Sequence, residues 1–189
     1  MSKKDPQALV KQAALQLFSE QGYFNTSVPD LVKASGVSTG SIYHHFGDKE
    51  GVARALFDSV VERMQVAIEE IQQKHLSVPE QCKAIIELLF VITENEPDLM
   101  RYMLHAKHAE FLSDVAPICS SSPFKKMRSI VSMGMKTKEV HEMDETVAAA
   151  AVFGGAIRLV QMRLDGVIEK NLLSYVDEVW FCAWRSVAI

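Results

Sequence analysis

Across almost every segment of this chain the apolar residues recur three and four positions apart, and no stretch alternates long enough to make a convincing strand. That period puts one apolar stripe on each helix and leaves nothing to build a sheet, so the fold expected is all-α, with about nine helices. The first helix is expected to begin with Asp5 as its cap and Pro6 inside its first turn. It carries Leu9, Ala13 and Leu17 beside Val10, Ala14 and Phe18, and stops at Gly22. Ser27 caps a short second helix in which Leu31, Val32 and Ala34 face inward, and Gly36 supplies the turn that ends it. Ser38 caps a third short helix running to about His45, and Asp48 caps a fourth.

The fourth helix is long. Val52, Leu56 and Val60 through Ile68 and Ile71 keep the apolar spacing for over five turns, and no Gly/Ser-rich or Pro-rich spacer follows to separate two independent halves. The domain boundary is therefore expected within this helix, dividing the chain into 1–50 and 51–189. After Pro79 the run Cys82 to Ile92 reads as a helix buried all round, which Asn95-Glu96-Pro97 breaks. Another helix carries Leu99 to Leu104 toward Phe111. Ala116-Pro117 and Ser120 to Pro123 interrupt again, Phe124 to Val131 mark the next helix, and the last two run from Thr146 to about Leu164 and from Leu172 to about Val187.

Gly36 to Phe46, GVSTGSIYHHF, is the most chemically loaded stretch. Two short helices joined by a Gly-containing turn and backed by an amphipathic first helix make a helix-turn-helix arrangement, whose second helix lies in the major groove of duplex DNA. Ser38, Thr39 and Ser41 are short hydrogen-bonding groups suited to base edges, and Gly40 lets the backbone approach closely. Tyr43, His44 and His45 are longer arms suited to phosphates, Lys49 adds a cation at a helix start, and Val37, Ile42 and Phe46 are assigned to packing beneath. Charge argues the other way: the formal net charge is −4, and up to Glu50 Lys3, Lys4, Lys11, Lys33 and Lys49 meet Asp5, Glu20, Asp30, Asp48 and Glu50. Hydroxyls, amides and helix N-termini, which carry many phosphate contacts, escape that count.

The segment Leu9 to about Phe57 resembles the DNA-binding domain of the tetracycline-repressor (TetR) family. The matching residues are Phe18, Gly22, Thr26-Ser27-Val28, Leu31, Ala34, Gly36-Val37-Ser38, Gly40 to Tyr43, His45-Phe46 and Lys49-Glu50. The resemblance implies that Thr39, Gly40, Ser41, Tyr43, His45 and Lys49 face DNA, with Ser27 and Val28 at the start of the preceding helix. Pro29 departs from the basic or polar residue common there, so that helix is expected to help less. The resemblance also implies a helical regulatory domain with a pocket, and dimerisation through the last two long helices. The small residues from Val147 to Ala156 and the apolar stripe from Leu172 to Val187 suit a close helix partner.

Together these readings give a ligand-responsive repressor that binds a palindromic operator in double-stranded DNA as a homodimer and is released by a small apolar or amphipathic effector. The adaptable thioethers of Met100, Met103, Met127 and Met162, with Phe153, are the candidate pocket walls, and His105 and His108 the polar end. His105 and His108, spaced HxxH, also raise the alternative of a haem or metal sensor on the same fold. No metal site is assigned to His44 and His45, because adjacent helix residues point about 100° apart. No cofactor is called for, and no catalytic residue: GxSxG, HExxH, a phosphate-cradling glycine loop and a dinucleotide fingerprint are all missing. Cys82, Cys119 and Cys182 are odd in number and far apart, and are expected to be buried, inert thiols. With no apolar leader, and with the apolar run Val147 to Ile157 short of the roughly 18 residues of a membrane span, no membrane partner and a cytoplasmic address are expected.

Overall fold

The computed structural model describes residues 5–115 and 118–189, Cys119 by its backbone alone. Lys3, Lys4, the Ala116-Pro117 break and the Cys119 thiol therefore lie outside the described residues. Among those described there are nine α-helices: α1 Pro6–Glu20, α2 Val28–Ser35, α3 Thr39–Phe46, α4 Lys49–Lys74, α5 Val78–Asn95, α6 Pro97–His105, α7 Ser122–Lys136, α8 Glu145–Leu164 and α9 Val176–Arg185. The all-α expectation holds, and the one β-type contact among them is an isolated bridge between Val140 and Ala188.

Local chemistry sets the early boundaries. Asp5 accepts from the Gln7 amide, Ser38 from Ser41 and Asp48 from Gly51, so each supplies an acceptor for an N–H that the helix itself leaves unpaired. Ser27 and Asp30 close a reciprocal capping box on α2, and Gly36 ends that helix at φ 69°, in the left-handed region that costs glycine nothing.

Several later expectations need correction. Ala34 is exposed, and Leu31 is the residue that α2 buries. On α5 the exposed residues Glu80, Glu87 and Asn95, about two turns apart, leave one narrow solvent strip, so that helix is not buried all round. The helix expected to reach Phe111 stops at His105, where Ala106 turns extended (ψ 128°), and a 3-10 turn, His108–Glu110, follows. Two further 3-10 turns are Ile118–Ser120 and Leu172–Tyr175, the latter just before α9. By length and composition α8 is apolar enough to cross a membrane, a property the shorter run ending at Ile157 did not suggest; it packs against α5, α7 and α9. Cys82 is buried and its thiol is pushed up to about 12 by burial, whereas Cys182 is exposed, contrary to expectation.

One continuous core runs from Val10 to Val187. α1 packs on α2, α4 and α6, and α4 on α1, α3, α5 and α7, so the N-terminal three helices rest on the remainder through α6 as well as through α4. Farther from them, Glu94 is clamped by both Nε and Nη2 of Arg163 at 3.0 Å and accepts from the Leu172 amide at 2.9 Å, tying α5, α8 and the last turn together.

Gly51 fixes how closely α3 can end against α4. A Cβ there would sit 1.8 Å from the Phe46 carbonyl oxygen, a backbone atom that cannot step aside. Gly51→Ala is therefore expected to displace the end of α3 and lower stability by about 3 kcal/mol, read as a drop in the urea midpoint at unchanged m-value.

Candidate nucleic-acid interface

The candidate surface is made by α3 and its two flanks. Ile42 has no exposure and Val37 8%, while Phe46 is half-buried against the same core, so the inward face of α3 is apolar and fixed. The opposite face stands out: Ser38, Thr39, Gly40, Tyr43, His44 and His45 are exposed, Tyr43 by 50%, and Ser41 is half-buried. The first-turn amides of such a helix point along its axis and, apart from the one Ser38 caps, are left for an outside acceptor. Gln7 Nε2 lies 3.3 Å from His45 Nδ1; an amide nitrogen can only donate, so a neutral His45 keeps its proton on the other ring nitrogen. The His44 and His45 rings meet edge to face at 5.0 Å.

Acidic side chains near this surface are engaged with helix ends or cations. Asp30 accepts from Ser27 and is held below the usual carboxylate range by those bonds, Asp48 caps Gly51 at 2.7 Å, and Glu50 lies 3.5 Å from Arg54. Residues 37–46 contain no carboxylate. A duplex approaching α3 thus meets hydroxyls, imidazoles and a helix N-terminus, with negative charge withdrawn to the sides.

Three expected contacts look different in place. The Ser27 hydroxyl is occupied by Asp30 at 2.5 Å, and Val28 is half-buried against the core. Lys49 does not hold its charge out for phosphate. Its ammonium donates to the Tyr23 carbonyl at 3.0 Å and the Thr26 carbonyl at 2.9 Å, and sits 4.0 Å from the centre of the Tyr23 ring. Partial burial pulls its pKa down. It is a clamp between the start of α4 and the loop before α2, because four methylenes let the head fold back to the carbonyls.

The candidate effector residues are distributed rather than gathered. Met100 and Met103 are buried in the core on α6, and Met162 is half-buried on α8. Met127 and Phe153 line a cleft of about 230 Å³ between α7 and α8, while His105 lines a separate one of about 350 Å³ beside α1. His108 is buried, 4% exposed, with its ring against Phe57 and Tyr102, and burial lowers its pKa to about 4. His105 is exposed at the end of α6, so the helix end between the two histidines undoes the one-turn pairing that HxxH suggested. Among the described residues no group of three or more His, Cys, Asp or Glu side chains is placed to hold a metal ion.

A groove of about 620 Å³ between α8 and α9, lined by Ala151, Gly155, Leu159, Val179 and Cys182, was foreshadowed by the small-residue run. Sequence reasoning missed the contact of α1 with α6, where Ser19 Oγ donates to the Asp98 carbonyl at 2.8 Å and Phe18 stacks on Tyr102. No motif announces it, since both helices read as ordinary amphipathic segments.

Fold and surface together define an all-helical protein carrying a helix-turn-helix head. Residues 12–56 match the family described as bacterial regulatory proteins, tetR family. That match covers the N-terminal helices alone, and over them the chain is similar to the family's members. It is 39% identical over 56 residues to the HTH-type transcriptional regulator HbdR of Aromatoleum sp., which covers 30% of this chain and 24% of that protein. Across the first-matched curated relatives the chain spans about a quarter to a third of their length, namely 24%, 32% and 29%. Over nearly the whole chain the fold is similar to that of the fatty acid degradation regulator FadR from Bacillus halodurans (TM-score 0.82, 22% identity, 97% of each chain). It is also similar to FadR from Bacillus subtilis in complex with stearoyl-CoA (TM-score 0.80, 20% identity, 93% of this chain and 96% of that one).

Replacing Lys49 by Met is expected to lower stability by about 1–2 kcal/mol in a urea titration, through two carbonyls left unpaired. A Lys49 that served phosphate alone would instead leave stability unchanged and reduce the salt slope of DNA binding by about 1.

Proposed function

We propose that this chain is a cytoplasmic, ligand-responsive transcriptional repressor, not an enzyme, that binds a palindromic operator as a homodimer. The observation that carries the proposal is the carboxylate-free polar face of α3, exposed from Ser38 to His45 above buried Val37 and Ile42. Thr39, Gly40 and Ser41 approach base edges; Tyr43, His44, His45 and the free amides of α3 take phosphates. Ser27 and Val28 contribute at most backbone contacts, given how their side chains are engaged. Residues 1–50 form the reading head and 51–189 the regulatory and dimerising part.

The dimer forms through α8 and α9. Val147 is 59% exposed and Phe181 58%, and the small residues Ala151 and Gly155 let a partner helix come close along the groove between them. The effector is amphipathic, and the relation to a FadR whose structure holds stearoyl-CoA favours a long-chain acyl thioester. Met127 and Phe153, which line the cleft between α7 and α8, then admit the acyl chain, with the unbranched Met127 thioether adapting at low cost. A differential affinity of about 1–3 kcal/mol between the two states would weaken operator binding some 5- to 150-fold.

Selection of bound duplexes from a random DNA pool tests this reading: a two-fold symmetric motif is expected, and no enrichment by the ligand-free protein at several salt concentrations would overturn it. On the selected duplex, Tyr43→Ala is expected to weaken binding about tenfold with unchanged thermal stability. Gly40→Ala, whose added Cβ meets nothing within 4 Å, should stabilise the protein by up to about 1 kcal/mol while still weakening DNA binding. With so few cations on α3, the log–log salt slope should be shallower than about −10.

A further inference from the structure

The cleft of about 350 Å³ between the end of α1, the Tyr23-Phe24 loop and α6 is walled by aromatic rings: Phe18, Tyr23, Phe24, Tyr102 and Phe111. Tyr23 and Phe111 stack nearly parallel, centroids 4.3 Å apart at 11°, and Phe24, 66% exposed, meets both rings edge-on. Phe111 is itself half-buried and lies just after the 3-10 turn His108–Glu110. Its ring is 5.8 Å from that of His108.

His108 is the anomaly. It is 4% exposed, its ring is enclosed by Phe57 at 4.9 Å and Tyr102 at 4.8 Å, and its Nε2 is buried without a hydrogen-bond partner. Buried polar atoms are nearly always paired, so this nitrogen keeps an unused hydrogen-bonding capacity on a ring that touches Tyr102 and Phe111, two walls of the cleft. Burial keeps the ring neutral at ordinary pH. At the rim the charges pair off, Arg101 with Asp98 at 3.1 Å and Lys107 with Glu110 at 3.2 Å, and His105 completes it. These two pairs therefore leave no unbalanced charge to favour an ionic ligand.

We propose that this cleft binds a flat, uncharged aromatic molecule bearing a hydroxyl, which takes the place of the Phe111 ring on Tyr23 and hydrogen-bonds to His108 Nε2. A hydroxyl both donates and accepts, so it satisfies Nε2 in either tautomer, and the incoming ring preserves the stack that Phe111 vacates. The site is separate from the acyl effector proposed above. It also lies against the reading head: the Tyr23 carbonyl is one of the two that hold Lys49, and Asp114, three residues beyond Phe111, is paired with Arg54 of α4 at 2.5 and 3.1 Å. Occupancy that moves Phe111 is thereby felt at both Tyr23 and α4.

The test is a fluorescence titration of the full chain, without DNA, using 2-naphthol, naphthalene and 2-naphthoate. 2-Naphthol is expected to saturate and to bind about tenfold more tightly than naphthalene, the worth of one otherwise unmade hydrogen bond. 2-Naphthoate should be the weaker of the two oxygenated probes. His108→Leu should erase the tenfold preference while leaving naphthalene binding in place, and Phe111→Ala, which removes the ring that must move, should tighten both. Phe111 is half-buried, so that variant remains usable should His108→Leu fail to fold. Absence of saturation in both the parent and Phe111→Ala would overturn the proposal, as would a preference indifferent to His108→Leu, which would place the ligand elsewhere in the core. Because no operator enters the assay, either outcome leaves the DNA-binding reading standing or falling on its own.

Discussion

Everything on the polar side of α3 depends on Ile42 being held down. An eight-residue helix is too short to persist by itself, since the first turns cost more order than their hydrogen bonds return. Ile42, with no exposure, and Val37 attach α3 to the core, and Phe46 extends that contact at the far end. Ser38 at one end and Gly47 at the other close the helix, and Gly51 lets α4 begin almost in contact with the Phe46 carbonyl. The polar face is therefore presented by its apolar face, and neither could exist without the other.

Around that support the head is fastened twice. α4 enters both halves as one helix, and Lys49 at its start reaches back to two carbonyls of the Tyr23 to Thr26 loop. The second fastening runs through α1: Phe18 on Tyr102, Ser19 on Asp98, Tyr23 on Phe111. A shift of α6 or of the turn after it is thus transmitted to α1 and the loop before α2 without passing along α4. Packed side chains with few voids transmit such displacements rather than absorbing them.

Much of this was legible in the amino-acid order, and the parts that were share a physical cause. Asp5, Ser27, Ser38 and Asp48 were readable as caps because a cap is a local bargain between one side chain and an amide two or three residues away. Ile42 and Val37 were readable as packing residues because they are apolar within an otherwise polar segment. What failed was decided by groups distant in sequence. Lys49 looks like a free cation until the Tyr23 and Thr26 carbonyls, more than twenty residues earlier, are brought beneath it. His105 and His108 look like a pair until Ala106 leaves the helix and Phe57 and Tyr102 enclose one of them. The exposure of Cys182, on a helix whose opposite face is buried, likewise depends on which face α8 covers.

The central claim is that duplex DNA meets the outer face of α3. Amide hydrogen exchange of the protein with and without a selected duplex tests it most directly, because it reports where the backbone is covered regardless of which side chains make the bonds. Slowed exchange confined to Ser38 through His45 and the first turn of α4 is the result expected. Protection appearing on α8 and α9 with α3 unchanged would contradict the account.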